Sequence, residues 1–413
     1  MNTSDLKFRL RAYSYFVIAL LVILGLRLAM VQLFLNDDYQ TQAKDNRVRL
    51  VPVKAPRGEI YAADGSVLAA NELVYTLSLS YLDKVDRTAL VDKLVVMLAP
   101  YYPDIDRKTI MDKIELQKFR LFEPVVVMRD IPWELVVQLE EKRQDFPGLE
   151  VSVEPLRNYP EGALAGHALG YIHSISQEEL NGSEASRYSI NSLIGKAGIE
   201  RQYEKELRGT NGARQVEVNV SGRPVRQLVT LQSHPGNNIY LTIDTKLQKV
   251  MEKSMAENLA RLQAQNPKAR VASAVVLNVK TGEVLAMASA PNIYPDDWKG
   301  NLKPVLASYY LPDGSYDPLN PGALTNRAIQ TTYPPGSTFK GITGMSVLEK
   351  GGMDPQGDLV NCAGAYWIAP YIKCIGVHGN VNYYRAMAVS CNTYFQEMGR
   401  RAGKDEIIHV GKQ

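Results

Sequence analysis

The chain has 413 residues, 45% hydrophobic and 22% charged, which is room for two or three ordinary globular domains. Lysine and arginine (47) nearly balance aspartate and glutamate (44), so the formal net charge is only +3 and nothing points to a nucleic-acid partner.

The first element is apolar and long. Tyr13 to Leu35 carries few polar residues, among them Ser14, Arg27 and Gln32. At about 1.5 Å per residue such a helix crosses about 30 Å of hydrocarbon. Lys7, Arg9 and Arg11 precede it and Asn36-Asp37-Asp38 follow it, so the positive-inside rule puts residues 1–12 in the cytoplasm and the bulk outside. A cleaved signal peptide is the competing reading, but no small-x-small site follows the run, which is too long for an h-region. Arg27 either snorkels toward the outer headgroups or meets a polytopic membrane partner.

Residues 36–235 mix short strands with polar helices. Val74 to Leu79 alternates as a strand, Leu90 to Leu98 as an amphipathic helix, and Pro124 to Met128 returns to a strand. No nucleophile with a nearby base occurs here. His167 and His173 lie between apolar residues and read as structural rather than as ligands. Asn181-Gly182-Ser183 and Asn211-Gly212 are turn signals.

Pro235-Gly236-Asn237-Asn238 marks a boundary. Ile239 to Ile243 then reads as a strand, Asp244 as a helix cap, and Thr245 to about Gln263 as the helix. The apolar runs Val271 to Val279 and Val284 to Ala288 predict a hairpin turning at Lys280-Thr281-Gly282. Pro295 to Pro321, with Trp298 and Tyr309-Tyr310, is expected to be a long irregular excursion packed through its aromatics.

Tyr333-Pro334-Pro335-Gly336 delivers the chain to Ser337, expected in the first turn of a buried helix running to Leu348. Lys340 follows at i+3, on the same face and within reach. A lysine partly withdrawn from water loses its proton more readily and can activate a serine hydroxyl. Ser-x-x-Lys arises about once or twice by chance in a chain this long, as at Ser4 and Lys7. Of the two Ser-x-Asn triplets, only Ser390-Cys391-Asn392 follows Ser337 in the right order; the other, Ser189-Ile190-Asn191, precedes it.

The three cysteines, Cys362, Cys374 and Cys391, all follow Ser337 and with His378 make a set of the types that bind tetrahedral zinc. The spacing is not the tight Cys-x2-Cys signature. A Cys362 to Cys374 disulfide beside a buried Cys391 thiol, and three plain thiols, stay open as alternatives.

Ser-x-x-Lys followed by Ser-x-Asn resembles penicillin-binding proteins and β-lactamases. Several further blocks narrow the resemblance to the elongation-type class B penicillin-binding proteins. They are Arg57-Gly58-Glu59-Ile60-Tyr61, Arg157-Asn158-Tyr159-Pro160-Glu161-Gly162, His167-Ala168-Leu169-Gly170-Tyr171, Gly198-Ile199-Glu200, Leu207-Arg208-Gly209 and Leu241-Thr242-Ile243-Asp244. The chain departs from the family at Ala62-Ala63, where a polar pair is usual. Its Lys-Thr-Gly precedes the serine instead of following the triplet, so a C-terminal truncation is expected.

The resemblance implies residues 1–12 as a cytoplasmic tail, 13–35 as the transmembrane helix, and 36–235 as a mixed α+β pedestal of dimerisation type. It implies 236–413 as the N-terminal part of an α/β (α+β) penicillin-binding, β-lactamase-like transpeptidase domain. The implied reaction is D,D-transpeptidation of peptidoglycan stem peptides ending in D-Ala-D-Ala, on the outer face of a bacterial cytoplasmic membrane. Ser337 would be the nucleophile, Lys340 the base and Ser390 the proton relay, with the Ser337 N–H in the oxyanion hole. Asn392 would hold the donor peptide or support Lys340. An amine of a second stem would take the acyl group, and β-lactams would imitate the donor. No cofactor is implied for catalysis. Some members hold a structural zinc, which points to Cys362, Cys374, His378 and Cys391. The expected partner is the polytopic glycosyltransferase of the elongation machinery, with Arg27 as a contact. A hydrolase of the same fold and a catalytically inactive membrane scaffold are the alternatives.

Overall fold

In a computed structural model that describes residues 3–34, 48–80, 86–117, 124–182, 188–218, 224–299, 304–311 and 317–413, the chain opens on helix α1, Thr3–Ala29, continued by a wider turn, Met30–Phe34. Tyr13–Gln32 within it is long and apolar enough to cross a membrane, and none of that stretch is buried in the protein. The Arg27 guanidinium reaches along the helix to Met30 Sδ at 3.6 Å. Leu35, the Asn36-Asp37-Asp38 flank used above for orientation, and Ser183 lie outside the described residues, as do parts of the 295–321 excursion.

The chain divides into two compact units, Met1–Gln330 and Thr331–Gln413. In the first, β1 (Val48–Val53) joins a three-stranded antiparallel sheet, while β2 (Ile60–Tyr61) and β3 (Val67–Leu79) belong to a five-stranded one. β3 starts seven residues before the strand the sequence predicts. Its polar Asn71-Glu72 step interrupts the alternation, but the ladder from Ala70 to Leu79 against β5 (Leu149–Asn158) satisfies the backbone there.

Helix α2 (Arg87–Leu98) begins at Asp86, whose carboxylate accepts from the N–H groups of Thr88 and Ala89 at 3.0 and 3.2 Å. Its Leu90, Val91, Leu94 and Leu98 pack on Leu77 and Leu79 of β3 and on Val125 and Val127 of β4 (Val125–Met128). The first sheet is completed by β6 (Gly212–Val218) and β7 (Pro224–Leu231).

The strand expected at Ile239 to Ile243 is shorter, β8 (Ile239–Tyr240), parallel to β2. The backbone leaves the sheet early to reach Asp244, whose carboxylate caps α3 (Thr245–Gln265) by accepting from Leu247 N–H at 2.8 Å. The hairpin forms as expected from β9 (Ala272–Leu277) and β10 (Val284–Ala290). Gly282, at φ +79°, closes the Lys280-Thr281-Gly282 turn by donating to Asn278 O at 2.8 Å. Buried Gln248 of α3 docks on β10 through reciprocal 2.8 Å bonds with the Met287 backbone. His167 and His173 bond the carbonyls of Ala323 (2.8 Å) and Trp298 (2.9 Å), which is a structural use of both rings.

An ionic network ties the scattered blocks of this unit together. Glu200, fully buried, receives Arg157 Nε at 2.6 Å, Arg57 Nη2 at 2.8 Å and the Tyr159 hydroxyl at 3.3 Å. Arg157 Nη1 also donates to Gly58 O at 2.7 Å, and Arg57 bridges to Glu204 at 2.8 Å. Gly58 has to be glycine for a separate reason: a Cβ there would lie 1.8 Å from Asn237 O.

The second unit is built on α4 (Phe339–Glu349), the hairpin of β11 (Val360–Cys362) and β12 (Gly379–Val381), and α5 (Asn392–Ala402). Val347 of α4 packs with Tyr394, Phe395 and Met398 of α5 in one core. The buried hydroxyls of Thr343 and Ser346 donate to carbonyls one turn back, at 3.2 and 2.7 Å. Only one face of α4 is buried, whereas the sequence reads as a buried helix; Phe339 and Met345 are exposed.

Buried Glu397 on α5 accepts from Arg400, Arg401 and Tyr366 at 2.8 to 3.0 Å. Its bonds to Arg400 foremost, then to Arg401 and Tyr366, outweigh burial and hold the carboxyl down at about 2. A depressed carboxylate stabilises the fold fully above its ordinary pKa, and that contribution is lost as pH falls through the folded value. The second unit is therefore expected to lose on the order of 2 kcal/mol between pH 5 and pH 2, discounted for the exposure of Arg400. Thermal melts across that window check it: Glu397→Gln should start lower and flatten the slope.

Candidate active site

Ser337 occupies a separate single turn of 3-10 helix, Gly336–Thr338, just ahead of α4 and not in its first turn. Pro334-Pro335 and Gly336, at φ +58°, bend the backbone so that the serine is presented on an exposed corner. Lys340, half-buried in the first turn of α4, does not bond Ser337 directly among the described residues. Its Nζ donates to Ser390 O at 2.6 Å, Ser390 Oγ at 3.0 Å and Asn392 Oδ1 at 2.7 Å. Ser390 Oγ in turn bonds Ser337 Oγ at 2.9 Å. Ser390 is thus the bridge between the two residues that spacing alone pairs.

Ser390 takes φ +52°, a left-handed conformation that costs a non-glycine residue about 1–3 kcal/mol. The turn is held because Cys391 N–H bonds Ala386 O at 2.8 Å while Lys340 occupies the Ser390 carbonyl. Asn392 starts α5 and spends its other side-chain atom on Lys373 O at 3.1 Å. Of its two expected uses, supporting Lys340 is the one its contacts fit. Burial lowers the Lys340 pKa from the ordinary lysine value, and the neighbouring Cys374 and Cys391 only partly offset this.

The four side chains of the candidate zinc set converge at this turn. One donor atom from each of Cys362, Cys374, His378 and Cys391 lies within 4.8 Å of every other. His378 Nδ1 is 3.5 Å from Cys374 Sγ and 3.6 Å from Cys362 Sγ, and the Cys374 and Cys391 sulfurs are 3.9 Å apart. All three cysteines are free, which corrects the disulfide alternative. Zn–S bonds of about 2.3 Å place tetrahedral ligands about 3.8 Å apart, so the donor set fits zinc in kind and in spacing. Burial pushes the Cys391 thiol up to about 12. For Cys362 burial also pushes up, but bonds from the Thr393 hydroxyl and from the backbone outweigh it and draw the thiol down to about 6.

Lys373 and Thr393, which carry no motif, support the turn through one carbonyl and one hydroxyl. Only their positions beside Cys374 and Asn392 could have marked them. The upstream triplet serves structure: Asn191 donates to Pro124 O at 2.8 Å and accepts from Gln117 at 2.9 Å.

Comparison with known proteins adds independent findings. Residues 52–241 match the penicillin-binding protein dimerisation domain and residues 272–413 the penicillin-binding protein transpeptidase domain. The chain is 31% identical to the peptidoglycan D,D-transpeptidase MrdA of Acinetobacter baumannii, over 95% of this chain and 56% of that protein. It is 31% identical to MrdA of Escherichia coli K12, over 91% of this chain and 57% of that protein, so it spans little more than half the length of these relatives. Its fold is similar to that of PBP2 from Helicobacter pylori in complex with MreC, with a TM-score of 0.69 at 24% identity, over 88% of this chain and 65% of that one. It is also similar to a chain of a peptidoglycan synthase complex that coordinates polymerisation and crosslinking, with a TM-score of 0.60 at 28% identity, over 98% of this chain and 67% of that one.

Proposed function

The chain belongs to the penicillin-binding proteins, with their dimerisation and transpeptidase domains, and from that membership we propose that it carries the serine chemistry of a peptidoglycan D,D-transpeptidase acting in cell-wall elongation. The observation that carries the reading is the continuous chain of bonds from Ser337 Oγ through Ser390 Oγ to Lys340 Nζ, at 2.9 and 3.0 Å.

With Lys340 neutral, the rotatable hydroxyls line up so that Ser337 donates to Ser390 and Ser390 donates to the amine. The Ser337 oxygen bonds the carbonyl carbon of the penultimate D-alanine, and its proton passes along the relay to Lys340. The backbone N–H of Ser337 supplies part of the oxyanion hole. As the C–N bond breaks, the proton returns through Ser390 to the departing D-alanine amine. An amine of a second stem peptide then takes the acyl group, and Ser337 regains its proton.

Fluorescent penicillin is expected to label the parent chain and not Ser337→Ala; labelling that persists in the variant overturns the assignment. Cross-linked against hydrolysed peptide separates transpeptidation from carboxypeptidase or β-lactamase action.

Cys362, Cys374, His378 and Cys391 would hold zinc in a structural role, supplying no catalytic chemistry. Cys391 lies between Ser390 and Asn392, and Asn392 N–H donates to Cys374 Sγ at 3.2 Å, so these ligands fix the relay turn itself. The purified chain is expected to carry about one zinc per molecule, the capacity of a single four-ligand site. Its removal should lower the melting temperature and slow penicillin labelling. Elemental analysis with thiol titration checks this: metal-free protein with three freely titrating thiols sinks it.

The apolar helix suits a single-pass anchor in the cytoplasmic membrane, with residues 1–12 inside and the chain that follows the helix outside. It would meet a polytopic glycan polymerase there, consistent with the synthase complex to which one similar structure belongs.

A further inference from the structure

The first unit contains a partly open cleft of about 140 Å³, lined wholly by residues between Lys54 and Asn211. Five cations line it, Lys54, Arg57, Arg129, Arg157 and Arg208, against one carboxylate, Glu154. Glu200 and Glu204 pair with Arg57 and Arg157 from behind. Five cations less three carboxylates leave two positive charges in excess.

The arginines also keep unused donors. Arg57 Nε and Nη1, Arg157 Nη2 and Arg208 Nη1 are buried with no acceptor among the described residues, as is the Thr76 hydroxyl on the same wall. The Arg57 side chain is 9% exposed and that of Arg157 0%, so bulk water reaches neither freely. Buried charged donors left unpaired are costly and rare. Guanidinium forks match the tetrahedral oxygens of a phosphate better than any neutral acceptor.

We propose that this cleft binds a phosphate-type dianion, which accepts from the free guanidinium donors and cancels the excess charge. Its ligands come from segments up to about 150 residues apart in sequence, Lys54 and Arg57 at one end and Arg208 at the other. Occupancy therefore closes the first unit around one ion. Burial first and the Arg129 charge second lower the Lys54 pKa although Glu154 lies 2.6 Å away, as expected beside uncompensated positive charge. The same chemistry could arrive as inorganic phosphate or as the headgroup of a membrane lipid.

The test uses the detergent-solubilised full chain at constant ionic strength. Inorganic phosphate, or micelles containing phosphatidic acid, should raise the melting temperature saturably, while chloride at matched ionic strength should not. A response to phosphate assigns a free ion, and a response to phosphatidic acid alone assigns a lipid. Arg208→Gln, which breaks no pair in the Glu200 network, should weaken the response about 10- to 100-fold, the worth of one bond between charged groups. Lys54→Gln is the second variant, and the circular dichroism and melting curve of each variant without added anion check that both fold. The proposal is overturned if neither anion source exceeds chloride, or if both folded variants respond like the parent.

Discussion

Replacing Lys340 by alanine is expected to slow acylation of Ser337 by a labelled penicillin about 10²- to 10⁴-fold, the usual worth of a positioned proton acceptor. The effect is large because Lys340 is the hub of the site: one ammonium makes three contacts, at 2.6, 3.0 and 2.7 Å, that join α4 to the Ser390 turn and to the start of α5. Lys340→Arg should be as slow as alanine, since a guanidinium does not give up its proton in this range. The direction of the pH profile follows from burial. A lysine pKa lowered by desolvation exposes the free amine at a lower pH, so the rate should rise with pH and level off before an ordinary lysine would titrate. Labelling rates from pH 6 to 10, with melting curves as a control for folding, measure both. A folded Lys340→Ala variant within threefold of the parent would remove Lys340 from the mechanism.

The second large effect lies in the first unit. Glu200→Ala is expected to destabilise it by about 3–5 kcal/mol, because two buried guanidinium groups lose the carboxylate that holds them together. Arg157 has no exposed surface through which to recover water, and its remaining bond to Gly58 O does not offset its charge. Arg57 retains Glu204, so the loss should exceed that of Glu204→Ala, whose carboxylate serves Arg57 alone of the pair. Urea unfolding followed by near-ultraviolet circular dichroism measures the difference. A change below about 1 kcal/mol would mean that the network is relaxed by water and not held by charge.

Motif order placed Ser337, Lys340, Ser390 and Asn392 on the page as a set, and all four meet in the structure. What the letters could not express is the route. Spacing suggests a direct serine to lysine contact along one helix, but a 3-10 turn rotates Ser337 off the helix and the contact passes through Ser390. That depends on a left-handed residue about fifty positions downstream, and no local propensity marks Ser390 for φ +52°. The cysteines show the same division. Their residue types suit zinc but leave a disulfide and plain thiols open; in the structure four donor atoms converge and all three cysteines are free.

The blocks in the first unit were legible only as fragments. Arg57, Arg157, Glu200 and Arg208 each sit in a separate short motif, and nothing local says that Glu200 joins Arg57 to Arg157 in one buried network or that the three arginines line one cleft. Hydrophobic period, caps and turn residues act between neighbours, so the chain by itself determined the apolar N-terminal helix, α2, α3 and the hairpin at Gly282. Partners distant along the chain meet only once a core closes around them. Tertiary packing therefore decided the relay through Ser390, the four-ligand cluster and the cationic cleft, because low dielectric and fixed geometry give those charges and donors their strength.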